Sequence, residues 1–241
     1  MPPRLFVAQR PEARVRLALP EAAARHVQVL RLRSGAPVVL FDGSGFEWPA
    51  RIEHIGRGGV DVTPDEPLAV DRELPVRVTI ALGMPANDRM DFVVEKATEL
   101  GVAVLQPLVC ERSVLRLSGE RAAKKVAHWQ GVAASACEQC SRNRLPRIDA
   151  VRTLADWLAA LGTAAAGESR WLLSLGEAAP APPAAQAVTL LSGPEGGLSA
   201  DEEAMARSRG FVPVSLGPRV LRADTAPLAL LAHLALSTAP R

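Results

Sequence analysis

The chain has no tyrosine, five phenylalanines and four tryptophans in 241 residues. With so few rings, stacking platforms of the kind that hold single strands are not expected, and recognition must rest on phosphates and shape. Cysteine is scarce too: Cys110, Cys137 and Cys140. Cys137-Glu-Gln-Cys140 has no second C-x-x-C, which argues against a four-ligand zinc site. It lies in VAASACEQC, which reads as helix, so two ordinary small residues one turn apart and a redox pair are the alternatives. Free thiols fit a reducing compartment. His26, His54, His128 and His233 are scattered and suggest no metal site. No apolar run approaches the roughly eighteen residues of a membrane span. The nearest, LALLAHLALSTA, is short and carries His233. MPPRLFVAQRPEARVRL lacks the long apolar region of a secretory signal, so a cytoplasmic protein is expected. Lysine is confined to Lys96, Lys124 and Lys125, and the rest of the 28 basic residues are arginine. Arginine suits bidentate phosphate contacts, although an Ala-, Arg- and Pro-rich chain also fits a GC-rich genome. The net charge of +2 does not by itself imply nucleic acid.

What is present is a core: 48% of the residues are apolar. Residues 1 to about 68 carry short runs broken by Gly and Pro, namely RLFVA, RVRLAL, PVVLFDG, FEWPARIEHI and GVDVTP, at the spacing of a small β-barrel. PEAAARHVQVLRL interrupts them as a helix, and Asp42-Gly43-Ser44-Gly45 is a hairpin signal. TPDEPLAVDRELP reads as a linker. Beyond it VRVTIALGM, VAVLQPLVC, WLLSLGE, VTLLSG and VPVSLG are buried strands. RMDFVVEKATELG and GERAAKKVAHWQGVAASACEQC are helices, the first closed by Gly101. This alternation predicts an α/β domain with a mainly parallel sheet. AAPAPPAAQA (178–187) reads as a loose insertion. Two domains, 1–70 and 71–241, follow.

Ser192-Gly193-Pro194-Glu195-Gly196-Gly197 ends one of these strands. Its glycines permit close backbone approach, and Ser199-Ala200-Asp201-Glu202 is a capping box. Neither G-x-G-x-x-G nor G-K-[ST] is present, which excludes the usual dinucleotide and P-loop readings. A strand–helix turn with no ligand is the plain alternative. However, Ser215-Leu216-Gly217-Pro218-Arg219-Val220-Leu221-Arg222-Ala223-Asp224-Thr225-Ala226 repeats the form, as does Leu173-Ser174-Leu175-Gly176-Glu177. Parallel sheets bind ligands at the carboxyl ends of their strands. Three such loops at one edge would read a purine by its edges.

EKATELGV, ERSV, EQCSRNRLPRI, GPEGGLSADE and SLGPRVLRADTA, in this chain order, together with RLFV and HVQVLRLRSGAPVVLFDGSG, closely resemble the RsmE-type methyltransferases of the SPOUT superfamily. The resemblance spans nearly the whole chain. It implies a PUA-like RNA-binding barrel over 1–70 and a SPOUT domain over 71–241 with a C-terminal trefoil knot, a rare exception to unknotted topology. It also implies a homodimer that uses S-adenosylmethionine to methylate N3 of one uridine in 16S ribosomal RNA. The cofactor residues it implies are Leu191, Gly193, Pro194, Glu195, Gly196, Gly197, Leu216, Gly217, Leu221, Arg222, Thr225 and Ala226, with Leu173 and Leu175 placed by position. Asp224 stands where the family commonly has Glu.

Uracil N3 carries a proton at neutral pH, so transfer needs a base or a cation that stabilises the anion. Arg222 and Arg112 are the candidate cations, and Glu195 and Asp224 the candidate bases; arginine assistance is preferred. Arg4, Arg10, Arg31, Arg33, Arg112, Arg142, Arg144 and Arg147 are candidate RNA contacts. SRNRLPR is alternatively a solvated loop. Phe6, Phe41, Trp48 and Phe92 are expected in the core. Glu95 and Glu99 are a like-charge i,i+4 pair, mildly unfavourable; it hints at a cationic partner or is a solvated face. APLALLAHLALSTA is apolar nearly all round and must be buried, at an interface or in the core. The rival functions are another RNA target, ribose 2′-oxygen or a different base, and a non-catalytic RNA-binding assembly protein.

Overall fold

Period-two and continuous apolar runs sort into two compact units in this computed structural model, which describes residues 1–56, 58–86, 88–174, 179–180 and 186–238. One unit comprises Met1–Glu73 and Ala134–Leu145; the other comprises Leu74–Ala133 and Pro146–Arg241. The chain therefore enters the first unit twice, which a single boundary at residue 70 does not describe.

The first unit contains β1 (Arg4–Phe6), β2 (Leu17–Ala18), α1 (Glu21–Val29), β3 (Pro37–Phe41), β4 (Phe46–Gly56), β5 (Gly59–Pro64) and β6 (Leu68–Ala69). Its sheet runs β1-β3-β4-β5-β2, with β6 against β4. β1 lies parallel to β3, and the other pairs are antiparallel. RVRLAL is mostly loop, with only Leu17–Ala18 paired. In β5 every second residue, Val60, Val62 and Pro64, is buried, because successive side chains of a strand face opposite sides. Val60 and Val62 join Leu5, Val27, Leu40, Trp48 and Ile52 in one core. The turn at Asp42–Gly45 forms as expected, with the Asp42 carboxylate accepting from the Ser44 amide (2.9 Å) and hydroxyl (2.5 Å).

Arg4 and Arg142 are corrections. Both were expected on RNA, yet they are 8% and 3% exposed. Arg4 pairs with Glu47 at 2.8 Å and donates to the Asn143 side-chain oxygen; Arg142 pairs with Glu73. Glu47 also accepts from Arg72 (3.0 Å) and Asn143 (3.1 Å). Burial pushes the Glu47 carboxyl up, but hydrogen bonds from Arg72, Arg4 and Asn143 outweigh it and hold it below its ordinary value. A buried guanidinium without such partners would be strongly destabilising.

The second unit contains β7 (Arg77–Gly83), α2 (Asp88–Glu99), β8 (Val104–Val109), α3 (Gly119–Cys140, whose last turns belong to the first unit), β9 (Arg147–Ile148), β10 (Arg152–Thr153), α4 (Leu154–Ala160), β11 (Glu168–Leu173), β12 (Ala179–Pro180), β13 (Ala187–Ser192), α5 (Ala200–Ser208), β14 (Val212–Ser215) and α6 (Thr225–Thr238). The sheet order is β10-β8-β7-β13-β11-β14-β12, with β9 against β8, and every pairing is parallel. Both faces are covered. Val78, Ile80 and Leu82 of β7 join one core cluster with Met90 and Val93 of α2 and Leu230 and Leu234 of α6. Ala81 joins a second with Leu158 of α4, Leu191 of β13 and Ala206 of α5. That is why these strands read as continuous rather than alternating apolar runs.

Three expectations resolve here. Lys96 lies 2.6 Å from Glu95 and 2.8 Å from Glu99, so the like-charge pair is bridged within its own helix. Phe92, expected in the core, is 48% exposed on α2, whereas Phe41 and Trp48 are buried. Leu228, Leu230, Leu231 and Leu234 of α6 are buried, while Leu236 is 83% exposed.

Candidate functional site

The carboxyl ends of β7, β13, β11 and β14 lie side by side. Ser192 pairs with Leu82, Leu172 with Leu191, and Leu173 with Val214. The turns after β7, β13 and β14 therefore leave the same edge of the sheet, where β11 also ends, although 192 and 215 are far from 83 in sequence. Leu175, and with it Gly176 and Glu177, falls outside the described residues.

The turn after β13 is built by backbone contact. Pro194 packs against Gly83, where a Cβ would stand 2.5 Å from the proline Cδ. The Pro194 carbonyl accepts from the Gly197 amide at 2.8 Å, closing a β-turn that leaves Gly197 at φ +69°. Ser199 then caps α5: its hydroxyl accepts from the Glu202 amide at 3.3 Å, and the Glu202 carboxylate accepts from the Ser199 amide at 3.0 Å. The other Glu202 oxygen accepts from the Glu111 amide at 2.8 Å. This fixes the segment that follows β8. Next along it, Arg112 donates to the Gly196 carbonyl at 3.1 Å and the Leu198 carbonyl at 3.3 Å.

The loop after β14 turns at Gly217, φ +99°. Arg222 and Thr225 open α6 with a turn in which the Arg222 carbonyl accepts from the Thr225 and Ala226 amides at 3.0 and 2.9 Å. Asp224 pairs with Arg89 of α2 at 2.9 Å and is largely buried. The shorter carboxylate thus reaches a cation.

Two of the sequence-named groups hold the backbone together. The Glu195 carboxylate accepts from the Ala86 amide at 2.8 Å, tying the turn after β13 to the one after β7. Arg112 ties the same turn to the segment after β8. Arg222 is exposed, and among the described residues no hydrogen bond or ion pair engages its guanidinium. Leu191 is fully buried. Leu173 and Leu216 pack partly against the core, and Leu221 is half-buried. Cys110, whose sulfur would meet a Gly83 Cβ at 2.9 Å, has its thiol pushed up to about 12 by burial, so it is no nucleophile. Of the remaining sequence-named arginines, Arg10, Arg31, Arg33, Arg144 and Arg147 are exposed, Arg10 lying 5.0 Å over the Phe46 ring. Sequence reasoning missed Glu202 as a tie between strand ends. The capping box was visible, but nothing in the spacing pointed to Glu111.

A nucleotide-sized methyl donor gripped by main-chain atoms needs turns without side chains in the way. Gly197 and Gly217 meet that need: both hold left-handed φ, and a Cβ built on either would find no atom within 4 Å. Gly193 differs, since a Cβ there would stand 2.9 Å from the Gly197 carbonyl carbon, so it closes the turn rather than opening space. The residues present fit a cofactor bound through backbone N–H and C=O groups. Among the described residues no group of His, Cys, Asp and Glu could hold a metal ion.

The comparisons agree with this arrangement. An RNA methyltransferase domain family matches residues 72–235, and an RNA methyltransferase PUA domain family matches residues 19–65. The chain is 32% identical over 240 residues to ribosomal RNA small subunit methyltransferase E of Synechocystis, covering 96% of this chain and 76% of that protein. A methyltransferase from Legionella pneumophila solved in complex with S-adenosylmethionine superposes with a TM-score of 0.90 at 33% identity, covering 98% of both chains. Ribosomal RNA small subunit methyltransferase E from Neisseria gonorrhoeae, bound to S-adenosylmethionine, does so at 0.89 and 32%, again over 98% of each. By sequence along its length and by fold, the chain belongs to the ribosomal RNA small subunit methyltransferase E family.

Proposed function

We propose that this chain transfers the methyl group of S-adenosylmethionine to N3 of one uridine in 16S ribosomal RNA. The observation that carries the reading is the convergence of the turns after β13 and β14 at one sheet edge, with room for a ligand at Gly197 and Gly217. The main-chain groups of 193–197 and 216–217 hold the cofactor, with Leu173, Leu216 and Leu221 as apolar walls and Thr225 and Ala226 at the start of α6. When bound, S-adenosylmethionine supplies an electrophilic methyl on a sulfonium.

The work of the protein is orientation and charge. Acceptor and methyl must meet in line at about 3–3.5 Å. The N3 proton leaves to solvent, and the anion it leaves behind needs a cation. Glu195 and Asp224 already hold the Ala86 amide and Arg89. Among the described residues Arg222 has no such partner and is the group available to a uracil oxygen, while Arg112 holds the turn after β13.

Residues 1–70 act as the RNA-binding barrel, with Arg10, Arg31 and Arg33 on phosphates, joined by Arg112, Arg144 and Arg147 from beyond residue 70; Arg4 and Arg142 are withdrawn from that set. The strand order, with β13 between β7 and β11 and β14 beyond, supports a trefoil knot in which 216–224 is threaded. Exposed Phe92 on α2 and Leu236 on α6 support a homodimer in the cytoplasm, where ribosomal RNA resides. Isothermal titration with S-adenosylmethionine, and mass spectrometry of 16S RNA from a deletion strain, test the reading. A strain that keeps every methylated uridine and loses a ribose or other base methyl would move the target. Absence of any affinity for S-adenosylmethionine would end the enzymatic reading.

A further inference from the structure

Away from the glycine turns, α3 and α4 bound an open groove of about 1030 Å3 at the carboxyl edge of the same sheet. Its floor is made of methyl groups: Ala122, Ala123, Val126 and Ala127 of α3, Val151, and Ala159 of α4. Its rim carries Arg116, Gln130, Arg152 and Thr153. Two guanidiniums at this rim, Arg116 and Arg152, stand against one lining carboxylate, Asp156, so its net charge is positive. Arg116 donates only to the Glu111 carbonyl (2.6 Å) and Arg152 only to the Asp156 carbonyl (3.0 Å), and neither forms an ion pair among the described residues. Arg4, Arg89, Arg142 and Arg170 all do. The Asp156 carboxylate accepts from the Thr153 hydroxyl at 2.7 Å and keeps its charge, but it forms no ion pair with either guanidinium among the described residues.

The groove is continuous in sequence with the cofactor edge. Val109 ends β8 and lines the groove. Arg112, three residues on, binds the Gly196 and Leu198 carbonyls, and Arg116, four further, returns to the rim. Four extended residues span at most about 14 Å, so a strand with one nucleotide at the cofactor turns has its neighbours within reach of the groove. Guanidiniums held only by backbone carbonyls, above an apolar floor, match a polyanion that also presents flat apolar faces. Arginine takes phosphate bidentately, and unstacked bases of single-stranded RNA lie against protein surface where paired ones cannot.

We propose that this groove holds single-stranded RNA flanking the methylated nucleotide, with phosphates on Arg116 and Arg152 and a base over the alanine floor. The proposal rests on the methyl-transfer reading above. Ala127 is exposed on the groove face of α3, and Glu and Lys are both good helix formers there. The measurement is filter-binding affinity for a 16S RNA transcript, with the RNA KM, for full-length Ala127→Glu, Ala127→Lys and Arg152→Ala. Ala127→Glu should weaken RNA binding and raise the RNA KM about tenfold, Ala127→Lys should bind as tightly as the parent or tighter, and S-adenosylmethionine affinity should stay within twofold. Arg152→Ala should lower the slope of log K against log salt by about one. The two Ala127 variants share any folding defect, so only a charge effect separates them. RNA affinity unmoved by both Ala127→Glu and Arg152→Ala overturns the proposal, as does a change confined to self-association, which would give the groove to a second copy of the chain. If RNA binds through the groove but the parent enzyme methylates no ribosomal RNA, it is the functional reading that fails.

Discussion

Both oxygens of the Glu202 carboxylate are taken by backbone amides, that of Ser199 at 3.0 Å and that of Glu111 at 2.8 Å. The Glu111 carbonyl is held in turn by Arg116 at 2.6 Å. A peptide clamped at both ends leaves the following residue, Arg112, little choice of position. Glu202→Ala removes a cap and a tie together, and should cost about 1–2 kcal/mol in thermal or denaturant unfolding. Should Glu202 act through Arg112, Glu202→Ala and Arg112→Ala will be non-additive in kcat/KM; additive losses would mean that it serves the helix alone. Arg222 is the opposite case, an exposed cation whose guanidinium holds nothing else in place among the described residues. Arg222→Ala should therefore leave the melting temperature within a degree or two while lowering kcat by about 10²–10³, the usual loss of one oxyanion-stabilising donor. Intact turnover with cofactor still bound would remove arginine from the mechanism.

At the scale of elements, the strand ends matter more than the strands. Gly83 closes β7 with its missing Cβ directed at Pro194 Cδ, 2.5 Å away, and at the Pro194 nitrogen, 2.6 Å away. Neither can yield without moving the turn. Gly83→Ala should cost about 1–3 kcal/mol as an overpacked contact and should raise the Kd for S-adenosylmethionine, whereas Gly58→Ala, where a Cβ meets nothing within 4 Å, should not. A Gly83→Ala protein with unchanged cofactor affinity would show that the turn binds nothing. The turns were legible in the sequence because glycine, proline and a capping box carry local geometry with them. The helix α4 was not seen, although Thr153 accepts from the Asp156 amide as a regular N-cap; seven residues are too few for a periodic signal. Arg4 and Arg142 were misread for a different reason. A basic residue in a short strand or an arginine-rich loop looks like surface until Glu47, Glu73 and Asn143 are seen to meet it, and those partners lie up to 139 residues away. Likewise, apolar runs identify β7, β11 and β13 as strands but cannot say that β13 lies between the other two.

Over the whole molecule, the two units answer to different variables. In the first, Glu47 is held below its ordinary value of 4.5 in the folded state. A depressed folded value means that the folded state resists protonation more than the unfolded one, so the stabilisation is present above about 4.5 and is lost as pH falls through the lower folded value. The Arg4–Glu47–Asn143 network should therefore open in acid, and hydrogen-exchange protection factors in β1 and β4 should fall below about pH 4.5; Glu47→Gln should start less protected and flatten that dependence. In the second unit the variable is the methyl donor. A ligand at a hundredfold its Kd stabilises the state that binds it by about 2.7 kcal/mol. Exchange at neutral pH with S-adenosylmethionine should slow at 193–199 and 216–226 and leave β3, β4 and β5 unmoved. That pattern requires the turns after β13 and β14 to grip one molecule together. Protection in only one of them would separate the two turns and, with that, undo the site, whatever the rest of the fold resembles.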